Sequence, residues 1–234
     1  MLKKITALVI SLLFVQLCFS QTENKFEKPD FDRIEKAIND KQSLFYYPGL
    51  LSRYHNDDTT ITPEEYRHLY YGFSLQANYS PYGKSALNDK IRELLDKKDK
   101  TEKEIDKVIE LERKLLKEFP FNLRNLNTLV NYYDIKKDTA NGDIAYKKLI
   151  AVAKTILSSG DMLSDSTAAY VISVEHEYDL IGLMGYKFGG GQTLIQSRYG
   201  PVDKMKLEKN DEEIEYLYFN VTQLFASMKK TMKD

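Results

Sequence analysis

The sequence predicts an α+β protein that is mainly α-helical: a body of helical hairpins, then a small antiparallel β-sheet and a C-terminal helix. Three observations support this fold class. Apolar residues recur at helical spacing through most of residues 30–160. Capping signatures precede several of these stretches. Residues 202–221 instead alternate between apolar and polar, which is the period of a β-strand.

The helical part divides into segments that begin at polar capping residues and end at glycine, proline or polar turns. Thr62-Pro63-Glu64-Glu65 is one such start, because it combines a capping box with proline at the first helical position. Thr101 and Glu104 repeat the capping box. Helices are therefore predicted from Asp30, from Thr62 to about Gln76, from Ser85 to Leu95, from Thr101 to Glu118, from Asn122, and from about Thr139 to Gly160.

Two stretches between these helices favour turns. Residues 44–54 are rich in aromatic residues and contain Pro48-Gly49, which indicates a turn with short helical pieces. The residues from Asn78 to Gly83 include Pro81 and also read as a turn.

The spacing of the apolar residues changes after Gly160. The residues from Tyr170 to Val174 form a short apolar run typical of a buried strand, and the stretch from Glu177 to Met184 has room for one or two helical turns. Gly189-Gly190-Gly191 predicts a flexible loop. Residues 202–221 predict a β-hairpin, and the stretch from Thr222 to Met232 predicts the closing helix.

The N-terminus has the three parts of a secretory signal peptide. Lys3 and Lys4 precede an apolar run from Ile5 to Leu17, and a small residue, Ser20, precedes the predicted cut. The predicted organisation is a signal peptide over 1–20, a flexible tail over 21–29 and one globular domain over 30–234. That domain has a helical part (30–160) and an α/β part (161–234). The mature chain would then act in the periplasm or be secreted, without an integral membrane segment.

A lipoprotein anchored at Cys18 is the alternative, although Leu17 is larger than the residue that normally precedes a lipidated cysteine. Cleavage after Ser20 would remove the chain's one cysteine, and with it any disulfide or thiolate chemistry. It would also leave 32 of the 34 basic residues against 35 acidic ones. A chain without a basic excess is not expected to bind nucleic acid.

Four features together resemble a family of uncharacterised exported proteins from Bacteroidota, a domain of unknown function. They are the signal peptide and the segments Tyr79-Ser80-Pro81-Tyr82-Gly83, Phe188-Gly189-Gly190-Gly191-Gln192-Thr193-Leu194-Ile195 and Tyr216-Leu217-Tyr218-Phe219-Asn220-Val221. The helices around Pro120-Phe121-Asn122 also partly resemble tetratricopeptide-type hairpins, although the regular repeat is missing. The resemblance implies export and a single domain, and it transfers no activity.

Two motif fragments fail on inspection. Gly83-Lys84-Ser85 ends like a phosphate-binding loop, but a predicted helix precedes it where that motif needs a strand. His176-Glu177 begins like a zinc-protease helix, but Leu180 occupies the place of the second histidine. The sequence therefore predicts no catalytic residue, no metal site and no cofactor.

Aromatic residues supply the candidate binding surface. The chain has 17 tyrosines and no tryptophan, and several tyrosines occur in clusters. Tyrosine combines an apolar face with a polar tip, which suits both half-buried helical seams and interfaces. The turn that carries Tyr79, Tyr82 and Gly83 is the predicted binding site, because a loop with two aromatic residues is not needed to build a core.

Two functions remain open. The first is a non-enzymatic module of the cell envelope that binds or scaffolds a protein or peptide partner; it predicts a tyrosine-lined groove and no buried cluster of titratable groups. The second is an envelope hydrolase or carbohydrate-active enzyme. It predicts a deep pocket near Glu175, His176 or Asp179 with convergent carboxylates or a histidine of perturbed pKa.

Overall fold

The structure, a computed structural model, describes residues 26–231. The predicted signal peptide and most of the predicted tail lie outside these residues. Within the remainder of that tail, the Glu27 N–H donates to the Ser158 carbonyl at 2.9 Å and Pro29 is buried.

The described residues form a mainly helical α+β structure, which confirms the predicted fold class. The helices are α1 (Phe31–Asn39), α2 (Tyr47–His55), α3 (Pro63–Phe73), α4 (Leu87–Leu95), α5 (Glu102–Glu118), α6 (Leu123–Ile135), α7 (Thr139–Leu157), α8 (Val174–Leu183) and α9 (Thr222–Thr231). The strands are β1 (Ala169–Tyr170), β2 (Phe188–Ser197), β3 (Gly200–Leu207) and β4 (Tyr216–Asn220). Along the part of the chain that is described, no helix is both long and apolar enough to span a bilayer.

The predicted helix starts are confirmed by their caps. Thr62 and Thr101 each form a complete capping box with the glutamate three residues later. The Asn122 side chain accepts from the N–H of Asn125 and caps α6. These bonds supply partners for amides that have none inside a helix, which is why the local sequence locates the helix starts.

Three predicted boundaries differ from the structure. Pro48 and Gly49 lie in the first turn of α2, where proline is tolerated. The predicted turn therefore lies before the helix, at residues 44 and 45, and residues 47–54 form one continuous helix. Helix α3 ends at Phe73, before the predicted Gln76. Helix α8 begins at Val174, earlier than predicted, because its first turn buries His176 and Glu177.

The sheet has the order β1-β4-β3-β2. Strands β3 and β4 are antiparallel, with Met205 opposite Leu217, which confirms the predicted hairpin. Strand β1 adds a short parallel pair to β4, with Ala169 opposite Phe219. Of the predicted strand from Tyr170 to Val174, Tyr170 alone lies in β1, and the Val171 N–H donates one more bond to the Asn220 carbonyl at 3.1 Å.

The prediction of a flexible loop at Gly189–Gly191 is wrong, because these residues belong to β2. Strand β2 pairs antiparallel with β3, and the register shifts between Phe188 and Gln192. Gly190 has a φ of +81°, and a Cβ on Gly189 would lie 2.8 Å from the Leu207 backbone. Glycine is therefore needed here for a bulge and a close strand approach, not for mobility.

One large hydrophobic core joins the helices to the sheet, with Tyr70, Phe121, Ile156 and Phe219 fully buried. A separate small cluster of Ile91, Leu111 and Leu115 holds α4 against α5. Because α4 packs on this satellite cluster, a cleft remains between α4 and the N-termini of α6 and α8.

Candidate functional site

The predicted binding turn borders a cavity of about 220 Å³, here called the aromatic pocket. Three segments form it: the turn from Tyr79 to Lys84, residues Phe119–Asn122 between α5 and α6, and residues Ile172–His176 at the start of α8. The structure thus brings Tyr79, Tyr82 and Gly83 together with residues about 40 and 90 positions later in the chain.

Tyr79 holds the turn in place. Its hydroxyl donates to the Ile172 carbonyl at 2.6 Å, and its ring packs edge-on against Phe73 with centroids 5.8 Å apart. Burial raises the pKa of Tyr79. Tyr79 therefore lines the pocket as a structural wall, so its mutation would disturb the fold as well as any binding.

Gly83 closes the turn against α5. Its N–H donates to the Ser80 carbonyl at 3.2 Å. A Cβ at this position would lie 2.7 Å from the Phe119 ring. Glycine is needed here because an aromatic ring occupies the space of a side chain, and the contact keeps the turn close to the body of the protein.

Tyr82 has a different environment from Tyr79. Its side chain is 55% exposed at the rim of the aromatic pocket, on a turn whose neighbour Pro81 is buried. Burial, followed by the charges of Asp203 and Glu177, raises the pKa of Tyr82. Tyr82 is thus an exposed aromatic side chain on an anchored loop.

A second cavity of about 400 Å³, here called the polar cleft, adjoins the aromatic pocket. It lies between α4, α5 and the first turns of α6 and α8. The two cavities share five lining residues: Gly83, Lys84, Phe119, Asn122 and Glu175. A ligand bound in one cavity would therefore be next to the other.

Glu112 is the buried carboxyl group that lines the polar cleft. Its side chain belongs to α5 and is 1% exposed. One carboxyl oxygen accepts from Asn125 Nδ2 at 2.5 Å, while the other receives no hydrogen bond within the described part of the chain. Burial raises the pKa of Glu112 to about 7, and the hydrogen bond from Asn125 opposes this shift.

Two asparagines of α6 connect the carboxyl groups of Glu112 and Glu175. Asn122 Nδ2 donates to Glu175 Oε2 at 2.6 Å, and Asn122 Oδ1 accepts from the Asn125 N–H at 3.0 Å. Asn125 in turn donates to Glu112. The N-terminus of α6 therefore positions both glutamates at the polar cleft.

His176 belongs to a closed hydrogen-bond network. Its Nδ1 lies 2.8 Å from the Tyr70 hydroxyl, which also accepts from the Ile172 N–H at 3.3 Å, and its ring is hydrogen-bonded to the Phe121 backbone. Burial lowers the pKa of His176 to about 4. The ring is therefore neutral at physiological pH, and protein groups occupy its hydrogen-bonding positions.

Asp179 is tied to α6. Its Oδ1 accepts from Arg124 Nη2 at 2.7 Å and from Nε at 3.1 Å, and its Oδ2 accepts from the Arg124 N–H at 3.2 Å. The side chain of Asp179 is 7% exposed. These bonds attach α8 to the first turn of α6 and leave Asp179 no evident role in binding.

Glu177 and Asp203 form a buried carboxyl pair between α8 and β3. Glu177 has no exposed surface, and neither of its oxygens accepts a hydrogen bond from an N–H or O–H donor of the described residues. Gln192 Nε2 donates to Asp203 Oδ2 at 2.8 Å. Burial raises the pKa of Glu177 to about 9, with a further contribution from the charge of Asp203. Glu177 therefore keeps its proton at neutral pH.

Sequence reasoning missed Glu112, Glu177 and Asp203. The signal for Glu112 was available, because it lies four residues after Val108 and three before Leu115 within the apolar stripe of α5. The binding hypothesis predicted no buried cluster of titratable groups, and this prediction is not met, because Glu177 and Asp203 are buried together and Glu112 and His176 are buried as well. Within residues 26–231 there is no group of three or more histidine, cysteine, aspartate or glutamate side chains that could hold a metal ion.

The fold and the cleft define a mainly helical α+β protein with two adjoining surface cavities. The chain belongs to the family described as a domain of unknown function (DUF4919), whose model matches residues 32–230. Comparison with the curated proteins and with the solved structures finds no match. Membership in a family of unknown function is thus confirmed, while the Bacteroidota source and the likeness to tetratricopeptide hairpins stay predictions.

Proposed function

We propose that this chain is a binding protein that takes a short segment of a peptide or partner protein in the aromatic pocket. The observation that carries the proposal is Tyr82, an exposed aromatic side chain at the rim of a cavity whose walls are largely aromatic and aliphatic. Aromatic anchors of this kind dominate the energetics of many interfaces.

The stiffness of the turn supports this role. The Tyr79 hydroxyl and the contact of Gly83 with Phe119 hold the turn before any ligand arrives. A site that is already ordered loses less conformational entropy on binding. The aromatic pocket is also small enough to hold one apolar side chain, whereas a folded domain would need a larger surface.

The buried titratable groups do not by themselves favour catalysis. Glu177 lines neither cavity, and the ring of His176 is hydrogen-bonded to Tyr70 and to the Phe121 backbone. A general acid or base must reach the proton that it transfers. Glu112 differs from both, because it lines the polar cleft and one of its oxygens has no hydrogen-bond partner among the described residues.

Selection from a randomised heptapeptide library would test the proposal. Three proteins are compared: the wild type, Tyr82→Ala, and Tyr146→Ala as the matched control. Tyr146 is 53% exposed on α7, away from both cavities. We expect the wild type and the control to enrich the same motif with an apolar or aromatic residue, and Tyr82→Ala to lose it. Enrichment that survives in Tyr82→Ala, or none with the wild type, would refute the proposal.

We further propose that the chain acts after export, with the signal peptide removed after Ser20, in the periplasm or outside the cell. The three-part N-terminus supports this location. The intact mass of the protein from its native host gives the test. A mass equal to residues 21–234 fits cleavage after Ser20, a lipid-modified chain that begins at Cys18 fits the lipoprotein alternative, and an uncleaved chain in the cytosol contradicts export.

A hydrolase is the second candidate, and one observation favours it. Glu112 has a pKa of about 7 beside a cleft that also contains Glu175, and a neutral acid with a second carboxylate is the combination that glycoside hydrolysis uses. Hydrolysis of glycan or peptide substrates by the wild type and its loss in Glu112→Gln would support this function. Equal activity in both proteins would contradict it.

A further inference from the structure

In the part of the chain that the structure describes, the polar cleft lacks a hydrogen-bond donor for one carboxyl oxygen of Glu112. Glu112 is almost fully buried, yet only Oε2 has a donor, Asn125 Nδ2. Glu112 lines the polar cleft, and its Oε1 has no hydrogen-bond donor among the described residues. A buried carboxyl oxygen without a partner costs free energy, which a hydrogen-bond donor from a ligand would recover.

The charged residues that line the polar cleft favour a cationic ligand. On α4, Arg92 pairs with Asp89; on α6, Arg124 pairs with Asp179. Three lining carboxyl groups then have no ion-pair partner within the described chain: Glu112, Asp96 on α4 and Glu175 on α8. Lys84 is the one cationic lining residue that is likewise unpaired there. An anionic ligand would add to this excess of carboxylates, whereas a cationic ligand would reduce it.

The polar cleft adjoins the aromatic pocket, so one peptide can supply both the apolar side chain and the cation. The aromatic pocket and the polar cleft share a wall that includes Gly83, Phe119 and Asn122. A peptide with an apolar residue in the first cavity would place a neighbouring side chain over the second. Lysine and arginine side chains are long enough to extend from the aromatic pocket into the polar cleft, and they carry the hydrogen-bond donors that Glu112 lacks.

We propose that the polar cleft is the second half of the peptide site and that Glu112 accepts a hydrogen bond from a lysine or arginine side chain next to the apolar anchor. This inference rests on the proposed peptide-binding function. It specifies the ligand class as a segment that carries an apolar residue beside a basic one.

Binding of the cationic ligand is then coupled to loss of the proton from the Glu112 carboxyl group. A bound ammonium group favours the Glu112 carboxylate, and the protonated form competes with binding. Since the pKa of Glu112 is about 7, the carboxylate fraction rises about tenfold between pH 6 and pH 8. The affinity for a basic ligand should rise by about the same factor over this range.

Two probe peptides test the role of Glu112 separately from the proposed peptide-binding function. The first is acetyl-Lys-Phe-Lys-amide. The second is acetyl-norleucine-Phe-norleucine-amide, which retains the apolar chain length and lacks the ammonium groups. Affinities are measured by NMR titration of the full mature chain at pH 6 and pH 8, with wild type, Glu112→Gln, and Glu118→Gln as a control on the exposed end of α5.

We expect the lysine peptide to bind the wild type and Glu118→Gln about tenfold more tightly than the norleucine peptide at pH 8, with little preference at pH 6. Glu112→Gln should show little preference at either pH. If both peptides bind equally and Tyr82→Ala weakens them, the peptide function stands and the role of Glu112 is refuted. If the wild type binds neither peptide, both proposals fail. The pH dependence of the wild type decides the matter even if Glu112→Gln does not fold.

Discussion

The buried pair of Glu177 and Asp203 makes stability depend on pH in a direction that can be worked out. Glu177 has a pKa of about 9 in the folded chain, against an ordinary value of 4.5. Between these values the folded state keeps a proton that the unfolded state has released. Stability contributed by this site is therefore fully present below pH 4.5 and decreases as the pH rises toward 9.

The magnitude follows from proton linkage. One bound proton changes the free energy of unfolding by about 1.4 kcal/mol per pH unit, so a rise from pH 5.5 to 8.5 should cost about 4 kcal/mol. This loss is large beside the roughly 5–15 kcal/mol by which most domains are stable. It should be visible in equilibrium unfolding.

The substitution Glu177→Gln removes the titration while nearly retaining the side-chain volume. Urea denaturation at pH 5.5 and 8.5 gives the free energy of unfolding of both proteins. We expect the wild type to lose about 4 kcal/mol more than Glu177→Gln between these pH values. The other titrating groups are common to both proteins, so their contributions largely cancel in this difference, apart from that of Asp203, whose titration depends on Glu177.

An exposed substitution, Glu208→Gln, provides the control and should follow the wild type. Parallel loss of stability in the wild type and Glu177→Gln, within about 1 kcal/mol, would refute a protonated Glu177. A loss that grows with pH in the wild type alone would support it.

Three further substitutions test how the site is held, each by urea denaturation at pH 7. Tyr70→Phe leaves His176 Nδ1 without its buried partner, and we expect a loss of about 1–3 kcal/mol; a neutral result would mean that the network is not formed. Gly83→Ala pushes a Cβ against the Phe119 ring, with an expected loss of about 1–3 kcal/mol; unchanged stability would indicate that the turn does not pack on α5. Gly182→Ala has the opposite sign, because this position in α8 has open space around it, so a gain of roughly 0.5–1 kcal/mol is expected and a loss would contradict the helix there.

The helices were predictable because the signals that start them are local. Thr62 and Thr101 reach only three residues forward to complete their capping boxes, and Asn122 does the same at α6. The β3–β4 hairpin was predictable for the same reason, since its alternation and its turn lie within 20 residues. The turn that carries Tyr79, Tyr82 and Gly83 was predictable because proline and glycine favour turns, and its role in binding stays a prediction.

Contacts between distant residues could not be predicted in this way. The three glycines of β2 look like a loop until β3 pairs with them, and the pairing depends on the neighbouring strand. Asn122 meets Glu175 across 53 residues, and Tyr70 meets His176 across 106. Sequence spacing contains no information about which of the many polar side chains will meet at such distances.

The sequence by itself determined the mainly helical α+β class, the starts of the helices and the turn that carries Tyr82. The tertiary structure alone decided that Tyr79 is a wall, that His176 is neutral and enclosed, and that Glu112 lines the polar cleft with one oxygen that has no donor among the described residues. The physical reason is that capping and periodicity act over a few residues. Burial, which sets the pKa values and leaves a polar atom with or without a partner, depends on every element that packs around it.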